Sequence, residues 1–546
     1  MSRTAIASAL VAGGVLTCVM ASSGLAAEPS KSPAQSDAWF TAHDYVEHAF
    51  WWRSAWLSAG NGASNDHYAP TEFLLNRYSL GFLTTRWVFT ARGEILDTPT
   101  VERGAVYVSD SGGSVWRLDA RTGQAAWQAA LPAMTGHSNS RSRVSPAIGR
   151  DSIIVGDQAA ATVIALSKGG GQPIWQTTVA SDENAFITAS PVVVGDRVYV
   201  GVSSGQEGTA VSTPNYVPTF RGSVVALDLN DGHILWQTYT VPQGFTGGAV
   251  WSSNLAVDPA RHAVYLSTGN NYSVPDKVAA CQAEATTPTQ LDACLPADDY
   301  IDSVLSLNSD TGQINWGRRF EGADTWTVSC LNLGFTPATP CPSPAGPDYD
   351  FGSAPNLFSI RQNGVAHDVV GAGQKSGMYW TLDRDTGQTL WATQVGPAGS
   401  LGGIIWGTAT DGARVYVPAS NSLSVDTALI PSGRHTNGGF WSALDARTGK
   451  ILWQTPTFAA DPHAPGTLAK TEGSVSVANG VLYGEDTAGY FTGVDARTGR
   501  VLKTFQSGGA GIAGPAVVDG VLYWGSGYGR YGASNNKLYA LWLGRD

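Results

Sequence analysis

The chain has 546 residues, 43% of them hydrophobic and only 14% charged, with 65 Gly and 19 Trp. That turn-rich, aromatic-rich profile excludes a disordered chain. A net charge of −11, with no basic tract, argues against nucleic acid as a partner.

In chain order, the N-terminus reads first as a secretory signal. Arg3 supplies the positive region, residues 5–20 the apolar run, and Ala26 or Ala27 the cleavage site. The run is short for a membrane span. Thr17 stands before Cys18 where a lipoprotein signal wants a small Gly or Ala, so no lipid anchor is expected. The expected organisation is a signal peptide over 1–27, a lead-in over 28–55 and a single domain over 56–546. The mature protein is then periplasmic or secreted.

From residue 115 onward one phrase returns. VWRLDARTGQAAW ends at Trp127, VIALSKGGGQPIW at Trp175 and VVALDLNDGHILW at Trp236. VLSLNSDTGQINW ends at Trp316, YWTLDRDTGQTLW at Trp391 and SALDARTGKILW at Trp453. A degenerate copy, GVDARTGRVLK, ends at Lys503, and the final KLYALWLGRD stops before its turn. Each copy is an alternating strand, a tight turn and a second strand. In the D-x-x-T-G turn Asp can accept backbone N–H groups and Gly supplies positive φ. A further strand pair, such as PVVVGDRVYVGV, precedes most copies. The unit is therefore a four-stranded antiparallel blade, and the chain an all-β propeller with one Trp per blade packed between neighbours. Eight blades are expected, the last sheet being completed by the N-terminal strand RWVFTAR at residues 86–92; seven is the alternative count. The interval from Trp236 to Trp316 is the longest and must hold insertions. Insertions on one propeller face are where function is expected.

Four cysteines remain beyond the signal. In an exported chain they are expected as disulfides, Cys281–Cys294 and Cys330–Cys341, each bracketing a local Pro-rich loop. No CxxCH encodes a covalently attached haem.

The repeat A-x-D-x-x-T-G-x-x-x-W resembles that of the quinoprotein alcohol dehydrogenases, from about Trp56 to the C-terminus. Those are eight-bladed propellers that bind pyrroloquinoline quinone (PQQ) and calcium. The YIDSVLSLN segment and the two Cys-bracketed loops are most similar to the polyvinyl-alcohol dehydrogenase-like branch. Propeller scaffolds of outer-membrane assembly carry the same repeat with no cofactor, so shorter segments must decide.

The resemblance implies calcium ligands at Glu207, in Ser204-Gly205-Gln206-Glu207, and at Asn270, in Thr268-Gly269-Asn270. Hard oxygen donors suit that ion. It implies Trp251, in Gly247-Gly248-Ala249-Val250-Trp251, flat against the quinone. Ala249 stands where the family often has Thr. In Asp298-Asp299-Tyr300-Ile301-Asp302 it implies a catalytic base. Asp298 is the first choice, with a further part in the calcium shell, and Asp302 is the rival. Lys375 would reach the quinone oxygens, and a cation there would steady developing negative charge. Thr188, Arg141 and Arg143 would bind the cofactor, the arginines by clamping its carboxylates. Trp406, Trp524 and Gly525 fall in cofactor-facing segments. Taken singly, each also reads as ordinary structure: a solvated Glu207 or Lys375, a core Trp251, a turn Asn270, an acidic loop at 298–302.

The implied activity is oxidation of alcohols, secondary or polymeric, with electrons passed to a separate acceptor such as cytochrome c. Two departures stand out. The adjacent Cys-Cys disulfide that many members place over the quinone is missing, and no haem domain is present. Alternative readings are a non-enzymatic scaffold and a PQQ-dependent sugar or aldehyde dehydrogenase.

Overall fold

The computed structural model describes residues 54–544 except 183, 253, 363 and 531. The expected signal peptide and almost all of the expected lead-in lie outside these residues. Eight four-stranded antiparallel blades follow one another around a ring, the first seven each drawn from one stretch of the chain. The first holds strands Thr100–Glu102, Ala105–Ser109, Ser114–Asp119 and Ala125–Ala130. The eighth joins Ala516–Val518, Val521–Ser526 and Lys537–Trp542 from the C-terminus to Thr84–Thr90 from the N-terminus. Thr84 pairs with Trp542 and Thr90 with Lys537. The ring is thus closed by hydrogen bonds between its two ends, which removes the open edges an unclosed sheet would expose.

The repeated turn works as its sequence implies. Asp119 Oδ1 accepts from the backbone N–H groups of Arg121 and Thr122 and from the Thr122 hydroxyl. Gly123 follows at φ 72°. A side chain there would collide with Trp87 of the preceding blade, since a Cβ would lie 2.6 Å from its ring. The indole Nε1 of Trp87 donates to Ala120 O at 3.0 Å. The same joint recurs from Trp127 to Lys168 O, Trp175 to Leu229 O and Trp236 to Ser309 O, and again from Trp316 to Arg384 O, Trp391 to Ala446 O and Trp453 to Ala496 O. Each buried indole thereby finds its acceptor while its ring fills the space between blades.

The seam between blades seven and eight differs. Lys503 occupies the docking position and its Nζ donates to Gly81 O at 3.3 Å. Gly81 belongs to the short helix Leu80–Phe82, and Leu80 packs on Gly493. Behind it Phe491 of blade seven stacks on Trp524 of blade eight, centroids 4.1 Å apart and planes 1° apart.

Residues 54–72 form a strap across one end of the axial channel. Trp56 exchanges hydrogen bonds with Val101 of blade one, both at 2.8 Å. Leu57 O then accepts from Ile148, Ala63 O from Val257, Ser64 O from Leu357, Asp66 O from Thr410 and His67 O from Val477. These donors sit at the innermost strands of blades two, four, five, six and seven, whose channel-facing N–H groups would otherwise be unpaired. His67 is buried, and burial pushes its imidazole down to about 4.

Both expected disulfides are present. Cys281–Cys294 staples the helices Asp276–Glu284 and Pro288–Ala293, and Cys330–Cys341 closes the loop after blade four.

Candidate functional site

The end of the channel opposite the strap opens into a cavity of about 260 Å³. Its wall is contributed by blades two to five, by the loop that leads into blade six, by blade eight and by the long insertion between blades four and five. Trp251 is placed by Gly247 and Gly248, at φ 101° and 63°. A Cβ on Gly247 would lie 2.3 Å from Asn270 O, so only glycine lets this segment lie against the Asn270 loop. Trp251 Nε1 donates to Asp350 Oδ2 at 2.9 Å, and its ring meets Trp406 edge-on at 5.6 Å. Arg143 lies over the Trp406 ring at 4.5 Å, and the Thr188 hydroxyl donates to Trp251 O at 3.4 Å. Behind Arg143, Thr188 and Trp406 a second space of about 30 Å³ reaches Ala59 of the strap. The strap therefore backs the site.

Asp350 is the hub. Its Oδ1 accepts from Asn270 N at 2.8 Å, and its Oδ2 from Trp251 Nε1 and from Lys375 Nζ, the latter at 3.1 Å. Lys375 Nζ also donates to Asp348 Oδ1 at 2.8 Å and lies 5.2 Å from the Trp251 ring centroid. Asp324 fixes this segment from behind, accepting from the N–H groups of Asp348 and Tyr349. Glu207, in the first turn of the helix Gln206–Ser212, completes the acidic wall.

The electrostatics are one-sided. Burial, reinforced by Asp350, pushes the Glu207 carboxyl up to about 8. Burial likewise raises Asp324 to about 7 and holds Asp302 and Asp348 well above the carboxylate range. Burial opposes the charge on Lys375, but Asp348 and Asp350 outweigh it and raise its affinity for the proton. One ammonium cannot neutralise Glu207, Asp302, Asp324, Asp348 and Asp350 together. The buried Asn270 Oδ1 and Asp348 Oδ2 have no hydrogen-bond partner, and neither oxygen of Asp302 has one. Unpaired hard oxygens beside excess negative charge are the donor set of a Ca²⁺-type cation. An indole face, Arg143 and Thr188 beside them suit a planar, carboxylate-bearing cofactor. The residues present therefore fit both groups. Non-glycine residues in the left-handed region also gather here: Asp302 at φ 42°, Asp348 at 60° and Trp406 at 66°. Backbone strain of this kind concentrates where side chains must be aimed.

Of the residues singled out in the sequence, Glu207, Trp251, Lys375, Thr188, Arg143 and Trp406 line the cavity, as does Ala249. Asn270 is buried just behind Asp350. Asp302 is buried within electrostatic reach of Asp324 and Asp350 but does not line the cavity.

The remaining expectations need correction. Asp298 is exposed and away from the cavity. Arg319 binds the carbonyls of Pro296 and Asp299 and holds that turn outward, so the inward carboxylate is Asp299, which accepts from Asn271 Nδ2 at 3.4 Å. Arg141 is exposed at the rim, where its N–H donates to Asp157 and its Nε to Gln158. Trp524 belongs to the core between blades seven and eight, with Nε1 donating to Ala513 O. Gly525 is needed for packing, because a Cβ would lie 2.6 Å from Ile95. Sequence reasoning missed Asp324, Asp348 and Asp350. The D-Y-D spacing of Asp348 and Asp350, just ahead of a small-residue run, was the available signal. It also missed Trp326, Val328 and Leu331, which wall the cavity from the Cys330–Cys341 loop.

Comparison with known proteins gives the same picture. A family model described as "Outer membrane protein assembly factor BamB" matches residues 84–215 and 375–541, together just over half the chain. A second, described as "Glucose/ethanol/alcohol dehydrogenase, beta-propeller domain", matches residues 347–401, which include Asp348, Asp350 and Lys375. The polyvinylalcohol dehydrogenase of Sphingopyxis sp. (strain 113P3) is 29% identical over 507 residues, covering 83% of this chain and 70% of that protein. That of Pseudomonas sp. is 27% identical over 513 residues, covering 87% and 73%. The crystal structure of quinohemoprotein alcohol dehydrogenase from Comamonas testosteroni superposes with a TM-score of 0.68 at 20% identity, covering 92% of this chain and 82% of that one. Fold and site together define an eight-bladed PQQ-type propeller with an axial acidic cavity. The chain belongs to the quinoprotein alcohol dehydrogenase family, and its relatives include polyvinyl-alcohol dehydrogenases.

Proposed function

We propose that the protein is a PQQ- and calcium-dependent dehydrogenase of alcohols, secondary ones and polyvinyl alcohol-like polymers among them. It passes electrons to a separate acceptor of the cytochrome c type. The observation that carries the reading is convergence: residues far apart in sequence, from Arg143 to Trp406, meet in one cavity with unpaired oxygens and uncompensated acid. A scaffold has no use for such a cluster, which works against the compact state unless something binds it. The relatives' names point to alcohols rather than sugars. Export to the periplasm accords with the two disulfides and with the absence, among the described residues, of a helix long and apolar enough to cross a membrane.

Glu207 and Asn270 Oδ1 would hold the cation, and Trp251, Thr188 and Arg143 the cofactor. Bound there, PQQ supplies a two-electron acceptor and calcium a Lewis acid. The chain's own residues do the rest. Trp251 and Trp406 exclude water from the cavity wall. Lys375, fixed by Asp348 and Asp350, which raise its hold on its proton, keeps positive charge at the cavity. The substrate hydroxyl proton passes to Asp348, which lines the cavity, has a free Oδ2 and holds its other oxygen on Lys375. A cation beside it would bring its raised proton affinity down into the range of a working base. Asp302 is the second candidate, because both its oxygens lack partners.

The test is turnover. Apoprotein given PQQ and Ca²⁺ should reduce an artificial dye with 2-propanol and polyvinyl alcohol, and more slowly with glucose. No dye reduction with any alcohol would overturn the proposal.

A further inference from the structure

A second polar pocket of about 230 Å³ adjoins the cavity and is separated from it only by Leu401 and Arg530, which line both. It is set among the loop after blade five, the loop inside blade six that carries Ser422 and Ser424, and the loop after blade six. Its floor is Glu472, 1% exposed, whose Oε1 accepts from Ser420 Oγ at 3.2 Å and whose Oε2 has no partner. Ser422 Oγ is likewise buried without a partner. Lys470 donates to Ser424 Oγ, with Asp461 3.9 Å away. The acids Asp461 and Glu472 face the bases Lys470 and Arg530, so the pocket has no excess of either sign. Such a lining suits neutral hydroxyl groups rather than an ionic ligand. The unpartnered Glu472 Oε2 and Ser422 Oγ are left to bond such hydroxyls. The rim is apolar: Leu423, between the two lining serines, is 64% exposed, and Val425 beside it is also exposed. A large hydrophobe left in water at the mouth of a polar pocket calls for an occupant with hydrocarbon and hydroxyl faces side by side.

We infer that this pocket is a second hydroxyl-binding subsite, at Glu472 and Ser422, for a polymeric substrate of the kind proposed above that extends from the main cavity over Leu401. This rests on the proposed oxidation of alcohols and narrows it. It places chain recognition on the loops of blades five and six rather than on the Cys-bracketed insertions. Of those insertions only the Cys330–Cys341 loop reaches the main cavity, through Leu331.

The experiment compares reconstituted wild type, Ser422→Phe, which fills the pocket from its half-buried edge, and the milder Glu472→Gln. Substrates are 2-propanol and oligo(vinyl alcohol) of increasing length. Wild type should show KM falling stepwise once the oligomer is long enough to reach the second pocket. In Ser422→Phe the ratio of kcat/KM for long oligomer to that for 2-propanol should fall about tenfold, as expected for losing one or two buried hydrogen bonds. An unchanged ratio, or no length dependence in wild type, overturns the subsite while leaving alcohol oxidation standing. If no alcohol is turned over at all, calorimetric binding of oligo(vinyl alcohol) decides. Weaker binding by Ser422→Phe than by wild type supports the subsite, and equal binding overturns it.

Discussion

The docking ring and the axial cavity are built on opposite rules. Around the ring, one joint is used again and again: an indole, a carbonyl acceptor and a glycine beneath the ring, as in Trp236, Ser309 and Gly312. In the cavity nothing repeats. The blades that line it contribute different side chains, and several backbones are strained to aim them. Repetition supplies stability that is spread around the ring. Departure from it concentrates unpaired charge and strain at one place, which such a frame can hold without opening. The odd seam shows the same division from the other side. Where Lys503 replaces the docking Trp, the stack of Phe491 on Trp524 takes over, and a residue expected at the cofactor serves the frame instead.

The sharpest way to break this comparison is to change one region and read both. Asp348→Asn should lower kcat by about 10³-fold, the scale of losing a general base. Its melting temperature should hold or rise, because a buried carboxyl is replaced by a neutral group; a melting temperature lowered along with activity would show that the site carries the fold. Trp236→Ala should do the reverse. It should destabilise by roughly 3–5 kcal/mol, the usual loss for a buried aromatic, while protein that remains folded keeps its KM. Chemical denaturation and steady-state kinetics on the same sample separate the two effects.

A smaller effect belongs to the strap. His67 has its folded pKa pushed down to about 4 from an unfolded value of 6.5. The unfolded chain therefore binds the extra proton first. Stability should be full above pH 6.5 and decline as pH falls toward 4, by about 3 kcal/mol at most. A His67→Gln protein should lack that part of the slope in unfolding free energy measured across this window. An identical slope in both proteins would remove His67 as its source. Smallest of all, Lys503→Ala should shift stability by no more than about 0.5 kcal/mol, since a half-buried surface lysine with one long hydrogen bond contributes little. A loss as large as that of Trp236→Ala would mean that Lys503, not the aromatic stack, holds the odd seam.

The two regions also differ in how far they were legible. The blade phrase carries its own geometry: alternation gives the strand, D-x-x-T-G the turn and the spaced Trp the joint. Eight blades could be read from it, and so could closure by a strand at residues 86–92, which the structure has at 84–90. Site residues that interrupt a repeat were legible too, as Glu207, Trp251 and Lys375 were. Asp298 misled because facing in or out there depends on Arg319, which grips that turn from a strand beyond it. Trp524 misled because a buried aromatic between blades and one beside a cofactor look alike in sequence. Asp348 and Asp350 were missed because their roles arise only when the insertion folds back onto Lys375 and Asn270. The strap was invisible for a similar reason: its hydrogen bonds are made by backbone groups, which leave no residue signature.

The central claim is that the axial cavity holds PQQ together with a divalent cation. The direct measurement is an absorbance titration of apoprotein with PQQ, with and without Ca²⁺, on wild type and on Glu207→Gln. Wild type should retain one PQQ per chain, more tightly with Ca²⁺, and Glu207→Gln should lose that Ca²⁺ dependence. Absence of PQQ binding, or the same Ca²⁺ dependence in both proteins, would contradict the account.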